Sequence, residues 1–162
     1  MKIVVISDTH VCGCEAKFPD KLLEDIRSSD MIIHTGDFVD IECLEGLKGF
    51  SKEVKAVYGN MDSQELKDKL PEKEVFKAGR FKIGIMHGRG APANLIDVLN
   101  EAFKKERPDL IVFGHSHAAF NEKIGDTIFF NPGSPFDKFF CQFNSYGVIE
   151  INEKIETRIV KI

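Results

Sequence analysis

The strongest constraint on the fold of this chain is where its polar clusters fall. Five short apolar runs each end abruptly in a glycine-flanked or serine-led group of Asp, Asn and His. Lys2 to Ser7 runs into Ser7-Asp8-Thr9-His10, and Met31 to His34 into Gly36-Asp37. Val54 to Tyr58 runs into Gly59-Asn60-Met61-Asp62, Arg80 onward into His87-Gly88, and Leu110 to Phe113 into Gly114-His115-Ser116-His117. Apolar runs this short read as buried strands. In parallel α/β sheets the carboxyl ends of the strands form the ligand crevice. The pattern therefore predicts an α/β fold with Asp8, His10, Asp37, Asn60, His87, His115 and His117 brought to one edge.

The segments between the runs support this reading. Leu22, Leu23 and Ile26 recur at helical spacing, and Asp40 can cap a helix carrying Ile41, Leu44 and Leu47 on one face. Ser63 can cap a short helix ended by Pro71. The opening half is thus strand–helix–strand–helix–strand, the pattern of parallel βαβ units. A shorter strand is expected around Val75, and a helix carrying Leu95, Leu99, Ala102 and Phe103 stops before Pro108. The pattern then changes. Phe120 to Ile124, Thr127 to Asn131, Tyr146 to Ile151 and Ile155 to Val160 read as antiparallel strands, because Gly125-Asp126 and Asn152-Glu153 are too short for crossovers. No repeat or linker interrupts the 162 residues, which suit one domain over 1–162.

Composition narrows the function. Hydrophobic residues make up 43% and charged residues 30%, and the formal charge is −4. That balance lacks the basic footprint of a general nucleic-acid binder, so nucleic acid is not an expected partner. No stretch is apolar enough to span a membrane, and the N-terminal apolar run is too short for a signal peptide. The expected location is cytoplasmic. The four cysteines, Cys12, Cys14, Cys43 and Cys141, are too few and irregular for a disulfide framework. Cys12-Gly13-Cys14 reads as a pair of loop thiols, with a soft metal site as the alternative.

The chemistry follows from the ligand types. Imidazole nitrogen mixed with carboxylate oxygen suits first-row divalent ions such as manganese, nickel, zinc, iron or cobalt, with manganese preferred here. Seven candidates exceed what one ion needs, and a shared Asp can bridge two. A pair of ions about 3.5–4 Å apart is a known device for in-line displacement at phosphorus. Singly, Asp8 and Asp37 would be ordinary turn residues; it is their company that argues otherwise.

These motifs together resemble the calcineurin-like metallophosphoesterases, whose signature runs Asp-x-His, Gly-Asp, Gly-Asn-His-Asp or Glu, His, and Gly-His-x-His. The size, the segment at 79–88 and Asn131-Pro132-Gly133-Ser134 are similar to the small phosphodiesterase branch that also contains the retromer subunit Vps29. The resemblance implies two packed β-sheets flanked by helices, in four layers. It implies that Asp8, His10, Asp37 and His117 hold one ion and Asp37, Asn60, His87 and His115 the other, with Asp37 bridging. It implies hydrolysis of a small phosphodiester by hydroxide held between the ions, with Asp8, Asn60 and His117 acting through the metal centre. Alternatives are a Vps29-like binding scaffold and, among enzymes, a phosphomonoesterase or nuclease.

Two departures bear on substrate. Met61 replaces a His that helps the leaving group depart in many members, which favours esters with good leaving groups. Arg89 replaces a His, and either orients substrate phosphate, beside Asn60, or is a solvated loop residue. Asp62 reads as a supporting or helix-start residue, His34 as a satisfied neighbour of the site and Ser134 as structural. Phe136, Phe139, Phe140 and Phe143 fit neither period: they are a core element, or an exposed loop making a homo-oligomer contact or a substrate-side wall.

Overall fold

A computed structural model of the chain describes residues 1–10, 17–50, 53–137 and 139–162. Among the described residues, ten strands form two five-stranded sheets. In chain order the elements are β1 (Lys2–Ile6), α1 (Asp20–Arg27), β2 (Met31–His34), α2 (Ile41–Phe50), β3 (Val54–Ala56), α3 (Gln64–Lys69), β4 (Lys73–Ala78) and β5 (Phe81–Met86). A 3-10 turn (Pro92–Asn94) leads into α4 (Leu95–Ala102), followed by β6 (Leu110–Val112), β7 (Phe120–Ile124), β8 (Thr127–Asn131), β9 (Ser145–Ile151) and β10 (Ile155–Lys161). The first sheet has the order β10-β9-β1-β2-β3 and the second β4-β5-β6-β8-β7.

Strand alternation sorts the core into three layers. Ile3, Val5 and Ile33 of the first sheet meet Ile83, Ile85, Leu110 and Val112 of the second in the central layer. On the opposite face of the first sheet, Val4, Ile6 and Ile32 pack against Leu22 and Ile26 of α1, Leu44 and Leu47 of α2 and Leu66 of α3. On the outer face of the second, Met86, Ile111 and Phe129 meet Leu95 and Leu99 of α4 with Phe103. Helices thus cover both outer faces, the four-layer arrangement expected from the sequence.

The expected caps form. The Cys43 amide donates to Asp40 Oδ1 at 3.0 Å at the start of α2, and the Leu66 amide donates to Ser63 Oγ at 3.4 Å at the start of α3. The β7–β8 and β9–β10 hairpins are antiparallel. One detail differs from the expected antiparallel tail: β8 also pairs with β6 in parallel. The residues between β8 and β9 carry the chain from the second sheet to the first, a long-range change of partner that short-range turn signals do not encode. The Cys12-Gly13-Cys14 pair lies outside the described residues; Cys141 is a free thiol.

A polar tie joins α1 to two strands of the first sheet. Asp25 on α1 accepts from Lys2 Nζ of β1 at 2.7 Å and from the Tyr146 hydroxyl of β9. Burial acts to raise the Asp25 pKa, but Lys2 and Tyr146 outweigh it and hold the carboxyl below its usual 3.8. A depressed carboxylate pKa adds stability above its unfolded value and loses it as pH falls through the folded one. Asp25→Asn should therefore cost about 1–2 kcal/mol at neutral pH. The gap to the parent should close below about pH 4, as checked by chemical denaturation across pH.

Candidate metal centre

Parallel pairing sets the site. β1, β2 and β3 are mutually parallel in one sheet, as are β5 and β6 in the other. Their carboxyl ends deliver Asp8, Asp37, Asn60, His87 and the His115–His117 turn to one crevice. The backbone there is contorted. Asp8, His10, Asp37, His115 and His117 all have positive φ, from 49° to 69°. Non-glycine residues take that conformation at a cost of order 1–2 kcal/mol each, and tertiary bonds hold them there. Asp8 N–H donates to Gly36 O at 3.0 Å and His10 N–H to Asp37 O at 3.1 Å. His115 N–H donates to both Asp8 carboxylate oxygens, at 3.2 and 3.1 Å.

The ligand-type atoms of Asp8, His10 and His117 lie within 4.8 Å of one another, and so do those of Asp8, Asp37 and His87. Asp37 Oδ2 stands between His10 Nε2 at 3.5 Å and His87 Nε2 at 3.4 Å. Asn60 Oδ1 stands between His87 Nε2 at 3.2 Å and His115 Nδ1 at 3.0 Å. Asp8 Oδ1 is 3.5 Å from His117 Nε2 and 3.9 Å from His87 Nε2. All seven residues singled out in the sequence thus meet in one crevice, with both carboxylates between the imidazoles.

The outward ring nitrogens show which atoms are left to face inward. His87 Nδ1 donates to Thr35 O at 2.8 Å, and His117 Nδ1 to Asp137 Oδ2 at 2.9 Å. His115 Nε2 donates to Gly90 O at 2.9 Å. Carbonyl and carboxylate oxygens only accept, so those nitrogens carry the hydrogen and the other nitrogen of each neutral ring presents a lone pair. Two inward atoms are therefore acceptors facing an acceptor: His87 Nε2 and His115 Nδ1 both point at Asn60 Oδ1. Such a convergence fits divalent cations, and the outer hydrogen bonds are the usual second layer that orients metal-binding imidazoles.

The electrostatics agree. Burial raises the Asp8 pKa despite the opposing effects of His87, Ser7 and His117. Burial acts likewise on Asp37, but there the His87 contact, the Met61 amide and His10 prevail and keep it low. Burial alone would depress His87; Asp37, Asp8 and the Thr35 carbonyl reverse that and raise it. Buried anions that draw protons onto their neighbours stand in need of positive charge, which cations satisfy.

Supporting residues fall where their chemistry suits them. Asp62 accepts from Asp37 N–H at 3.0 Å, Val39 N–H at 2.8 Å and Gly59 N–H at 2.7 Å, clamping two ligand turns together. Ser134 Oγ donates to Asp8 O at 2.7 Å. His34 is fully buried, bonded to Thr9 and the Gly36 amide and stacked on Phe38 with centroids 3.5 Å apart, so it is a neighbour of the site. Arg89 sits on the rim, its Nη1 3.6 Å from Glu72 Oε1. Met61 is exposed. Asp137 escaped the sequence reading altogether. Its bond to His117 spans 20 residues, and its only local signal is its position three residues past Ser134.

Comparison with known proteins places these features in context. The family model described as Calcineurin-like phosphoesterase superfamily domain matches residues 1–154. A probable metallophosphoesterase of Methanocaldococcus jannaschii is 34% identical over 163 aligned residues, covering 100% of this chain and 82% of that protein. A phosphodiesterase of the same organism is 27% identical, with 99% of each chain covered. Among solved structures, a Vps29 variant from Entamoeba histolytica superposes with a TM-score of 0.79 at 26% identity, covering 100% of this chain and 99% of that one.

Proposed function

The chain belongs to the calcineurin-like phosphoesterase superfamily, and from that premise we propose that it is a metal-dependent phosphodiesterase acting on small phosphodiesters. The observation that carries this reading is the crevice itself: seven residues with ligand-type atoms gathered together, with Asp8 and Asp37 between two groups of imidazoles. Asp8, His10, Asp37 and His117 would hold one divalent ion and Asp37, Asn60, His87 and His115 a second; the mixed imidazole and carboxylate donors suit a first-row ion, and manganese is the one proposed. Such ions neutralise charge on phosphoryl oxygens and lower the pKa of bound water.

The remaining roles belong to the protein. The oriented amide of Asn60 and the rim guanidinium of Arg89 position the phosphate. Met61, exposed beside the ligand turn, offers no proton to a departing alkoxide. Leaving groups that depart unprotonated, such as phenolates, are favoured. Diesters suit the shape as well. One cleft borders Asp8, His10 and His117, and another borders Asn60 and His87. A phosphorus atom at the cluster would direct one substituent into each.

The test is direct. Protein loaded with manganese is expected to cleave bis(4-nitrophenyl) phosphate faster than 4-nitrophenyl phosphate, to lose activity on chelation and to regain it on adding metal. The structural likeness to Vps29 favours a binding scaffold as the second reading. Stoichiometric metal binding without ester cleavage, across manganese, nickel, zinc, iron and cobalt, would select it.

A further inference from the structure

We propose that Phe136, Phe139 and Phe140 form a subsite that takes a planar aromatic substituent of the substrate, beside the His10–His117 half of the metal centre. The inference deepens the phosphodiesterase reading and rests on its placement of phosphorus at the cluster. The cleft has a volume of about 320 Å³. Asp8, His10 and His117 form its polar floor, and the three phenylalanines its apolar wall. That size is within the range of small-molecule sites.

Exposure is what makes the wall informative. Phe139 and Phe140 are 88% and 76% exposed, although each could bury its ring at a gain in free energy. Both are nonetheless held in place. Asp137 Oδ1 accepts from the Phe139 amide at 2.8 Å, and Asp137 Oδ2 from the Phe140 amide at 3.0 Å. The same carboxylate fixes His117. The Phe140 ring meets the His117 ring edge-on, with centroids 5.6 Å apart. Phe136 is anchored from behind by a stack on Phe18, 5.7 Å between centroids and 7° between planes. One carboxylate therefore fixes both the His117 imidazole and the backbone of Phe139 and Phe140, which ties the wall to the reacting centre.

The two clefts differ in a way that assigns the occupant. The cleft on the Asn60–His87 side is about 160 Å³ and is lined by the charged Arg89 and Glu72 with Tyr58. Its smaller volume suits a small substituent. The wider cleft has aromatic faces and edges, against which a flat ring, such as a phenyl group or a nucleobase, stacks or packs edge-on. Base–aromatic contacts of this kind are worth roughly tenfold or more in affinity.

The test compares phenylphosphonate with methylphosphonate, bound to manganese-loaded protein and followed by isothermal titration. The phenyl compound is expected to bind about tenfold tighter, and the preference to fall to near unity in Phe139→Ala/Phe140→Ala. Kinetics on 4-nitrophenyl phenyl phosphate and 4-nitrophenyl methyl phosphate, which share a leaving group, should show the same fall in the phenyl-over-methyl ratio of kcat/KM. Equal affinity for the two phosphonates in the parent, or a preference that survives the double substitution, overturns the subsite. So does a parent dimer that the double variant turns into a monomer with the preference intact, since the rings then serve a contact between copies. A protein that discriminates the phosphonates but cleaves neither diester keeps the subsite and loses the phosphodiesterase reading.

Discussion

Asp37→Asn is expected to lower kcat/KM toward an aryl diester by about 10³-fold or more, the equivalent of several kcal/mol of charge stabilisation. Asp37 Oδ2 lies within 3.5 Å of both His10 Nε2 and His87 Nε2, so it stands, with Asp8, against both halves of the cluster. Asn keeps the shape and still accepts the Met61 amide that now donates to Asp37 Oδ1 at 2.8 Å. The fold should survive: without metal, the melting temperature should stay within a few degrees of the parent, because a buried anion is removed while the Met61 bond is kept. Manganese titration should show weaker binding and a lost or much weakened second site. Parent-like activity and stoichiometry in this variant would remove Asp37 from the centre. The comparison with His34→Asn is informative, since His34 is bonded and stacked beside the site but presents no atom to it.

Gly59→Ala should be nearly as damaging, although glycine has no chemistry to lose. A Cβ at position 59 would stand 2.2 Å from Asp37 Oδ1 and 2.6 Å from the Asp37 backbone nitrogen. Backbone cannot swing aside as a side-chain tip can, so the turn after β3 must move and take Asn60 with it. The expected result is a loss of about 10–100-fold in metal affinity, about 10²-fold in activity from misplacement and roughly 1–3 kcal/mol of stability from overpacking. Gly49→Ala is the matched control. It lies in α2, its Cβ would meet nothing within 4 Å, and alanine there should be neutral or stabilising by up to ~1 kcal/mol. Metal titration and thermal melts on the two variants separate the effect of the site from that of glycine removal in general.

The two substitutions divide what could be read from the residues from what could not. The gathering of the candidate ligands was legible because each member follows a short apolar run, and in a parallel sheet strand ends have a common destination. Asp8, Asp37, Asn60, His87 and the His115–His117 pair needed no coordinates to be suspected together. The caps at Asp40 and Ser63 were legible for a similar reason: they act within four residues. The aromatic segment was not. Phe136, Phe139, Phe140 and Phe143 follow neither a helical nor a strand period, and the structure places them in the crossing between β8 and β9. There Phe136 packs against the core while Phe139 and Phe140 face outward. Nor was the role of Asp137, whose partner His117 is on another loop.

By itself, then, the sequence determined the kinds of candidate ligand, their order and the end of the sheet at which they gather, because hydrophobic period and glycine placement are local properties. Tertiary structure alone decided which atoms face one another. It turned Nδ1 of His87 and His117 outward and Nε2 inward, pressed Gly59 against Asp37 and held five ligand residues at positive φ. Each of these depends on contacts between separate strand ends, where the partners are set by how two sheets stack rather than by neighbours along the chain.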